Sequence, residues 1–373
     1  MKKAIITVAI YSLIIASLLL AILRSKPDIA DVERYCPAII NHNHSVAFGE
    51  EHTAFVKIDG TVWLSGNNEY GQLGNGTFES KNSPEQALGI TEVISVAAGA
   101  EHTIALKKDG TVWAWGDNSK GQLGNGSNQC SLSPVMVSNL TDVKEIASGS
   151  DFNVALKSDG TVWVWGCNEE GMLFFEKTED ILLPIKMVKL PKVKFIDISS
   201  DLIFALAEDN EVYIWGRDRL FDYDAVIFEP GRLEGLNDII QIKLFEGYMF
   251  ALTKSGKVWR TSYFKFHKDN RLEPVVYNIN EIAEIAELDN VIQIESGTRH
   301  LLFLKRDGTI WGIGSNYYEQ FGMEDYDDIP KECKSITGVK RIEANYEKSA
   351  AIQNNDSVDI WGKYYNTKFN LYK

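Results

Sequence analysis

Ala97-Ala98-Gly99-Ala100-Glu101-His102-Thr103-Ile104-Ala105-Leu106-Lys107-Lys108-Asp109-Gly110-Thr111-Val112-Trp113-Ala114-Trp115-Gly116 is the stretch that decides the fold of this chain. Two short runs of apolar and β-branched residues flank Asp109-Gly110. A tight hairpin needs positive φ at its centre, and Asp-Gly supplies it at little steric cost. The loop that follows, Asp117 to Gly126, is punctuated by Gly121, Gly124 and Gly126. The stretch therefore predicts two antiparallel strands and a glycine-bounded loop. By the period of two, Trp113 and Trp115 share one strand face, and Val112 and Ala114 the other. Large rings on one face and small groups on the other let neighbouring sheets interlock.

The block recurs. Asp59-Gly60-Thr61-Val62-Trp63 precedes it and Asp159-Gly160-Thr161-Val162-Trp163 follows. Weaker copies run Asp209–Tyr213, Ser255–Trp259, Asp307–Trp311 and Asn355–Asp359. The equivalent positions 63, 113, 163, 213, 259, 311 and 359 are separated by steps of 50, 50, 50, 46, 52 and 48. Seven units of one period mean a repeat architecture in which each unit buries its apolar face against its neighbours. Units made of strands, with a hairpin in each, predict a seven-bladed β-propeller over a helical solenoid. The repeat overrides the expectation of two or three domains from 373 residues.

A formal charge of −14 repels phosphate backbones and argues against nucleic-acid binding, and no Lys/Arg run offers a local exception. Cys36, Cys130, Cys167 and Cys333 lack metal-type spacing and leave disulfides open.

At the N-terminus, Met1-Lys2-Lys3 precedes twenty uncharged, mostly apolar residues, Ala4 to Leu23. A helix of that length spans roughly 30 Å, a bilayer's hydrocarbon thickness. The run is longer than a signal peptide's apolar core and shows no convincing Ala-x-Ala site, which favours an uncleaved anchor, with a cleaved signal as the alternative. Lys2 and Lys3 place the N-terminus in the cytoplasm and the body outside it. The expected organisation is an anchor or signal over 1–24, a linker over 25–36 and the propeller over 37–373. Because the last unit shows no clear copy of the outer strand, Pro37–Ile40 is expected to complete the seventh blade and close the ring.

Gly99–Thr103, Asp109–Gly116 and Gly121-Gln122-Leu123-Gly124 together resemble the repeat of the regulator of chromosome condensation family, as do Gly49–Thr53, Asp59–Trp63 and Gly71–Gly74. The resemblance implies the same seven-bladed propeller. The founding members bind chromatin and catalyse nucleotide exchange on a small GTPase, but no exchange-active residue matches here, and a hydrophobic segment stands where they carry a basic tail. Other propellers of this repeat are binding modules.

His52, His102 and His300 hold one place in three different units, so they belong to the repeat's hydrogen bonding and not to one metal centre. Asn41-His42-Asn43-His44 reads as a polar turn. Gly71–Gly76 and Gly121–Gly126 lack the Lys-Ser/Thr ending of a phosphate loop and precede no helix. No nucleophile stands beside a base, and the sequence implies no catalytic residue, cofactor or metal.

The loop after the Trp-Gly strand changes character along the chain. From the third unit on it carries Phe174 and Phe175, then Phe221 and Tyr223, Phe264 and Phe266, Tyr317, Tyr318 and Phe321, and Tyr364 and Tyr365. Equivalent loops emerge on one side of a propeller, so these rings form a candidate protein-binding rim. The competing reading makes them plugs between blades, in the place of Leu73 and Leu123. The sequence thus predicts a non-catalytic, monomeric, membrane-anchored propeller outside the cytoplasm that binds a protein through this rim. The alternatives are a scaffold without a dedicated ligand and an exchange factor for a small GTPase.

Overall fold

In the computed structural model the described residues are 45–173, 179–199, 201–217, 226–235, 237–246, 248–262, 276–278, 282–315, 317, 327–333, 336–362 and 365–370. They form seven antiparallel sheets, one per repeat. The second is typical: Val93–Ala98, His102–Lys107, Val112–Gly116 and Ser131–Met136 follow one another in chain order across the sheet. Its hairpin turns at Asp109-Gly110, with Gly110 at φ +79°. Asp109 Oδ1 accepts from the Thr111 amide at 3.0 Å and hydroxyl at 2.6 Å. That hydroxyl bond holds the carboxyl below its usual range.

The first strand of each unit lies innermost. The strands Val46–Phe48, Val93–Ala98, Val143–Ser148, Val193–Ser199, Ile239–Phe245, Val291–Ser296 and Val339–Asn345 all contribute to the wall of one central channel. Small residues such as Ala97 and Ala98 occupy this crowded ground. Proline interrupts the fourth strand of five sheets, at Pro84, Pro134, Pro184, Pro230 and Pro330, and all of these but the Pro230 strand are sheet edges. Proline cannot donate to a further strand, so it blunts an edge against pairing with another chain.

Between sheets the core is made of large rings against small residues. Trp115, Trp165 and Trp215 are fully buried, each removing roughly 5 kcal/mol worth of apolar surface from water. Trp115 Nε1 donates to Gln72 O at 2.8 Å and Trp165 Nε1 to Gln122 O at 2.9 Å, each in the preceding unit. Trp113 is only half-buried and lies beneath the Lys107 ammonium. The two tryptophans that the strand period pairs on one face therefore have different surroundings.

The ring closes by packing of the first sheet on the seventh. Val46, Phe48 and Phe55 share one apolar cluster with Ala350, Ile352, Val358 and Ile360. Asn345 Nδ2 donates to Phe48 O at 3.0 Å, and buried Lys348 Nζ donates to Gly49 O at 3.0 Å and His52 O at 3.2 Å.

The expectation for the seventh blade is corrected here. Its fourth place is filled by Tyr365–Asn370, paired with Ser357–Gly362 over six residues. Alternation of Tyr365, Thr367 and Phe369 with Asn366, Lys368 and Asn370 is a strand pattern that the weak repeat similarity hides. Pro37–Ile40 lie outside the described residues. A second departure is in the fourth sheet, where Val276–Asn278, from the fifth unit, adds a fifth strand parallel to the outer one. No helix among the described residues is long and apolar enough to cross a membrane, and Ala4 to Leu23 lie outside them.

Candidate functional site

In four of the seven units the second strand begins at a residue whose side chain bonds the next blade. His52 Nε2 meets Thr103 Oγ1 at 3.0 Å, His102 Nε2 meets Asn153 Oδ1 at 2.9 Å, and His300 Nε2 meets Ser349 Oγ at 2.7 Å. Thr103 Oγ1 gives its own proton to Gln72 O, so His52 is the donor to it. Phe152, Leu202, Tyr248 and Lys348 take the same place in the other units, as the strand registers show. Burial, with Lys348 nearby, lowers the His52 pKa to about 3, and burial alone takes His300 to about 3. Burial also lowers His102, although Asn153 works the other way. The three rings are neutral hydrogen-bonding groups in separate seams, as the repeat reading expects. Among the described residues no group of three or more His, Cys, Asp or Glu is placed to hold a metal ion.

The loops of the inner hairpins and the long loops after the third strands emerge on one face. Asn67 N donates to Glu51 O, Asp117 N to Glu101 O and Cys167 N to Asp151 O, all within 2.8–2.9 Å. One buried asparagine organises each of the first three long loops. Asn118 Oδ1 accepts from Leu123 N at 2.9 Å, and its Nδ2 donates to Ser127 O at 3.0 Å and Gln129 O at 2.9 Å. Asn68 and Asn168 repeat this with Leu73 and Leu173. In Asn118→Ala the buried Leu123 amide loses its acceptor, a loss of about 1–2 kcal/mol. Hydrogen exchange at Leu123 is expected to speed up about tenfold, while exchange in the inner strands stays unchanged.

Around the channel mouth the inner loops are knit to one another. Glu50 N donates to Ala100 O at 3.2 Å, Ala100 N to Ser150 O at 2.8 Å, Ser150 N to Asp201 Oδ1 at 2.8 Å, and Thr298 N to Tyr346 O at 2.6 Å. Glu51, Glu101, Asp151, Asp201 and Glu347 all stand directly before the stitching residue of their unit. Partial burial, then crowding by Asp117, Glu50, Asp151 and Glu69, pushes the Glu101 carboxyl up to about 7. Tyr70, partly exposed, lies in the same negative field.

The channel encloses about 230 Å³. Five residues before the stitch, units one to three place Ala47, Ala97 and Ala147 on its wall, and units four to seven place Asp197, Lys243, Glu295 and Glu343. Lys243 Nζ is 2.9 Å from both Asp197 Oδ1 and Glu295 Oε2. Burial works against its charge, but the two carboxylates outweigh it and hold the ammonium above its ordinary range. Burial pushes Glu295 upward against the pull of Lys243, and burial with Asp197 nearby pushes Glu145 well up. Half the wall is small and apolar, and half is charged.

Of the sequence-predicted rim, Tyr317 falls among the described residues and is 84% exposed. Phe174, Phe175, Phe221, Tyr223, Phe264, Phe266, Tyr318, Phe321 and Tyr364 lie outside the described residues. Tyr365 is corrected from loop to strand, as the first residue of the seventh sheet's outer strand. In the third unit Leu173 is buried and fills the place that Leu73 and Leu123 fill in the first two, and buried Met172 stands in the place of Gln72 and Gln122. The charged channel half and the acidic collar escape a reading of the repeat, because they sit where the units differ. Aligning the seven units on His52, His102 and His300 brings both out.

A closed ring of seven four-stranded units, stitched through buried histidines and loops on one face, defines a seven-bladed β-propeller of the repeat kind. The chain belongs to the RCC1-like domain family, whose model matches residues 23–261, well over half of it. The regulator of chromosome condensation (RCC1) repeat also matches residues 291–320. Among solved structures it is similar to human WBSCR16, with 21% identity, a TM-score of 0.66, and coverage of 81% of this chain and 84% of that one. It is also similar to Prp20p of Saccharomyces cerevisiae, a protein studied for binding Gsp1p and histones, at 22% identity, a TM-score of 0.65, and coverage of 83% and 82%. These likenesses carry the fold. No curated protein matches the sequence.

Proposed function

We propose that this chain is a non-catalytic, protein-binding propeller, tethered to a membrane by Ala4 to Leu23 and displayed outside the cytoplasm. The observation that carries the reading is Tyr317, a large ring 84% exposed on the loop face. An aromatic held out of the core on a rigid scaffold is the kind of anchor on which protein interfaces concentrate their energy. It stands on the loop after its blade's third strand, so it shares a face with the inner-loop collar. The acidic collar supplies charge beside it, and the seven-blade frame supplies rigidity.

The test has two arms. A topology reporter fused after Lys373 reads out the compartment: activity on the cytoplasmic side sinks the export model and favours the exchange-factor reading. In the second arm Tyr317, Tyr318, Tyr364 and Tyr365 are replaced together by serine, with stability checked by thermal unfolding. Partners cross-linked to the native chain are expected to be lost from the variant, by about tenfold or more if two rings act as anchors. Equal recovery of every partner counts against binding through this rim.

A further inference from the structure

Six of the seven sheets guard their outer edge, and the seventh does not. In the first, second, third and sixth sheets the outermost strand contains proline, at Pro84, Pro134, Pro184 and Pro330. Its register to the third strand is also shifted in each of the four. In the fourth sheet Val276–Asn278 covers the proline-containing strand, and in the fifth the outermost strand is Ile282–Glu284, so both edges are three residues long. Proline, bulges and short edges all hinder a sheet from recruiting another strand. The seventh sheet ends at Tyr365–Asn370, six residues without proline. All six pair with Ser357–Gly362 in unbroken register. Among the described residues no strand pairs with the other side of this one.

The direction of its free backbone groups follows from the other units. Val62 O accepts from Ala87 N, Val258 O from Ile285 N and Ile310 O from Cys333 N, so this residue of the third strand bonds the fourth. Val358 holds the same place in the seventh unit and pairs with Phe369. Bonded and non-bonded pairs alternate along an antiparallel ladder. Tyr365, Thr367 and Phe369 therefore bond inward, and Asn366, Lys368 and Asn370 turn their N–H and C=O outward. That row is a template for one more strand.

Charge selects what fits it. From Ile360 to Lys373 the sequence carries Lys363, Lys368 and Lys373 and neither Asp nor Glu, in a chain of net charge −14. Asp359 stands opposite Lys368 in the register, which still leaves a positive surplus. A second copy fits poorly, because antiparallel pairing about the centre of this strand brings Lys368 beside its own image. We propose that Tyr365–Asn370 is a docking edge, which takes up an extended acidic segment of a partner protein as a fifth strand of the seventh sheet. The edge lies on the circumference, so this inference stands apart from the loop-face reading built on Tyr317.

The test follows amide hydrogen exchange in the full chain, held in detergent, by nuclear magnetic resonance. The probes are two peptides of about ten residues, one alternating glutamate with valine and the other lysine with valine. The glutamate peptide at about 1 mM is expected to slow exchange at Lys368 about tenfold, as a Kd of about 0.1 mM gives. Asn366 and Asn370 are expected to follow, while Thr367, already bonded, changes little. The lysine peptide is expected to protect about fivefold less. Lys368→Pro removes one outward N–H and is expected to abolish the protection of Asn366 and Asn370. Equal protection by the two peptides overturns the acidic preference, and protection by neither overturns the docking edge. Amides protected before any peptide is added overturn it as well. Protection that rises with protein concentration assigns the edge to a second copy, and protection that does not assigns it to another part of this chain. Should Lys368→Pro fail to fold, exchange in the native chain decides alone.

Discussion

Gly99→Ala is expected to destabilise the propeller by about 3 kcal/mol or more, although it adds a single methyl group. A Cβ on Gly99 would lie 2.1 Å from His102 Cε1, 2.4 Å from its Nδ1 and 2.8 Å from Gly149 O. The imidazole occupies the space that a side chain would need. It cannot step aside cheaply, because its Nε2 is tied to Asn153 Oδ1 in the next blade at 2.9 Å. Relieving the clash therefore breaks a buried inter-blade bond as well. Gly49 with His52 and Gly297 with His300 show the same packing, which is the physical content of the Gly-x-x-His spacing in this repeat. Urea unfolding of the two proteins checks the prediction. A loss below about 1 kcal/mol, with His102 still seated, would show that the backbone yields instead.

The second expected result is a pH dependence. His300 titrates near 6.5 when exposed and near 3 in the folded chain. The unfolded chain therefore takes up a proton that the folded chain refuses. The stability His300 contributes is present above pH 6.5 and falls by about 1.4 kcal/mol per pH unit as the pH drops from there toward 3. Between pH 7 and pH 5 the loss is about 2 kcal/mol. Glu101, pushed up to about 7, and Glu145, pushed well up, slope the opposite way, because the folded state holds their protons more tightly. The comparison with His300→Gln removes those contributions, since both proteins share them. The advantage of the native chain over this variant is expected to shrink by about 2 kcal/mol between pH 7 and pH 5. A difference that stays constant with pH would mean that folding leaves the pKa of His300 unchanged.

Much of this architecture is legible in the residues because it is repeated. Asp109-Gly110 marks a hairpin through backbone chemistry confined to a few residues, and seven such marks at one spacing imply a ring. His102 reads as structural for the same reason, since a residue in the same place in several blades cannot converge with its copies on one ion. Repetition also misleads. Tyr364-Tyr365 looks like one more aromatic loop because the seventh unit has drifted furthest from the others, and Tyr365 opens a strand instead. The outer strand Tyr365–Asn370 has little repeat similarity, which is why the sequence points to Pro37–Ile40 for the place that Tyr365–Asn370 fills. The Gly-x-x-His spacing is visible in the chain, but its cause is a contact between a ring and a Cα that no spacing reveals.

Local chemistry determined the hairpin turns and, through their repetition, the number of blades, because each turn depends on residues within one unit. Only the tertiary structure decided which strand faces the axis and that Lys348 closes the seam. It also gathered Asp197, Lys243, Glu295 and Glu343, spread over nearly 150 residues of chain, onto one half of a channel wall. The reason is geometric: closing the ring makes neighbours of positions about fifty residues apart, and their charges act on one another only once water has been excluded from between them.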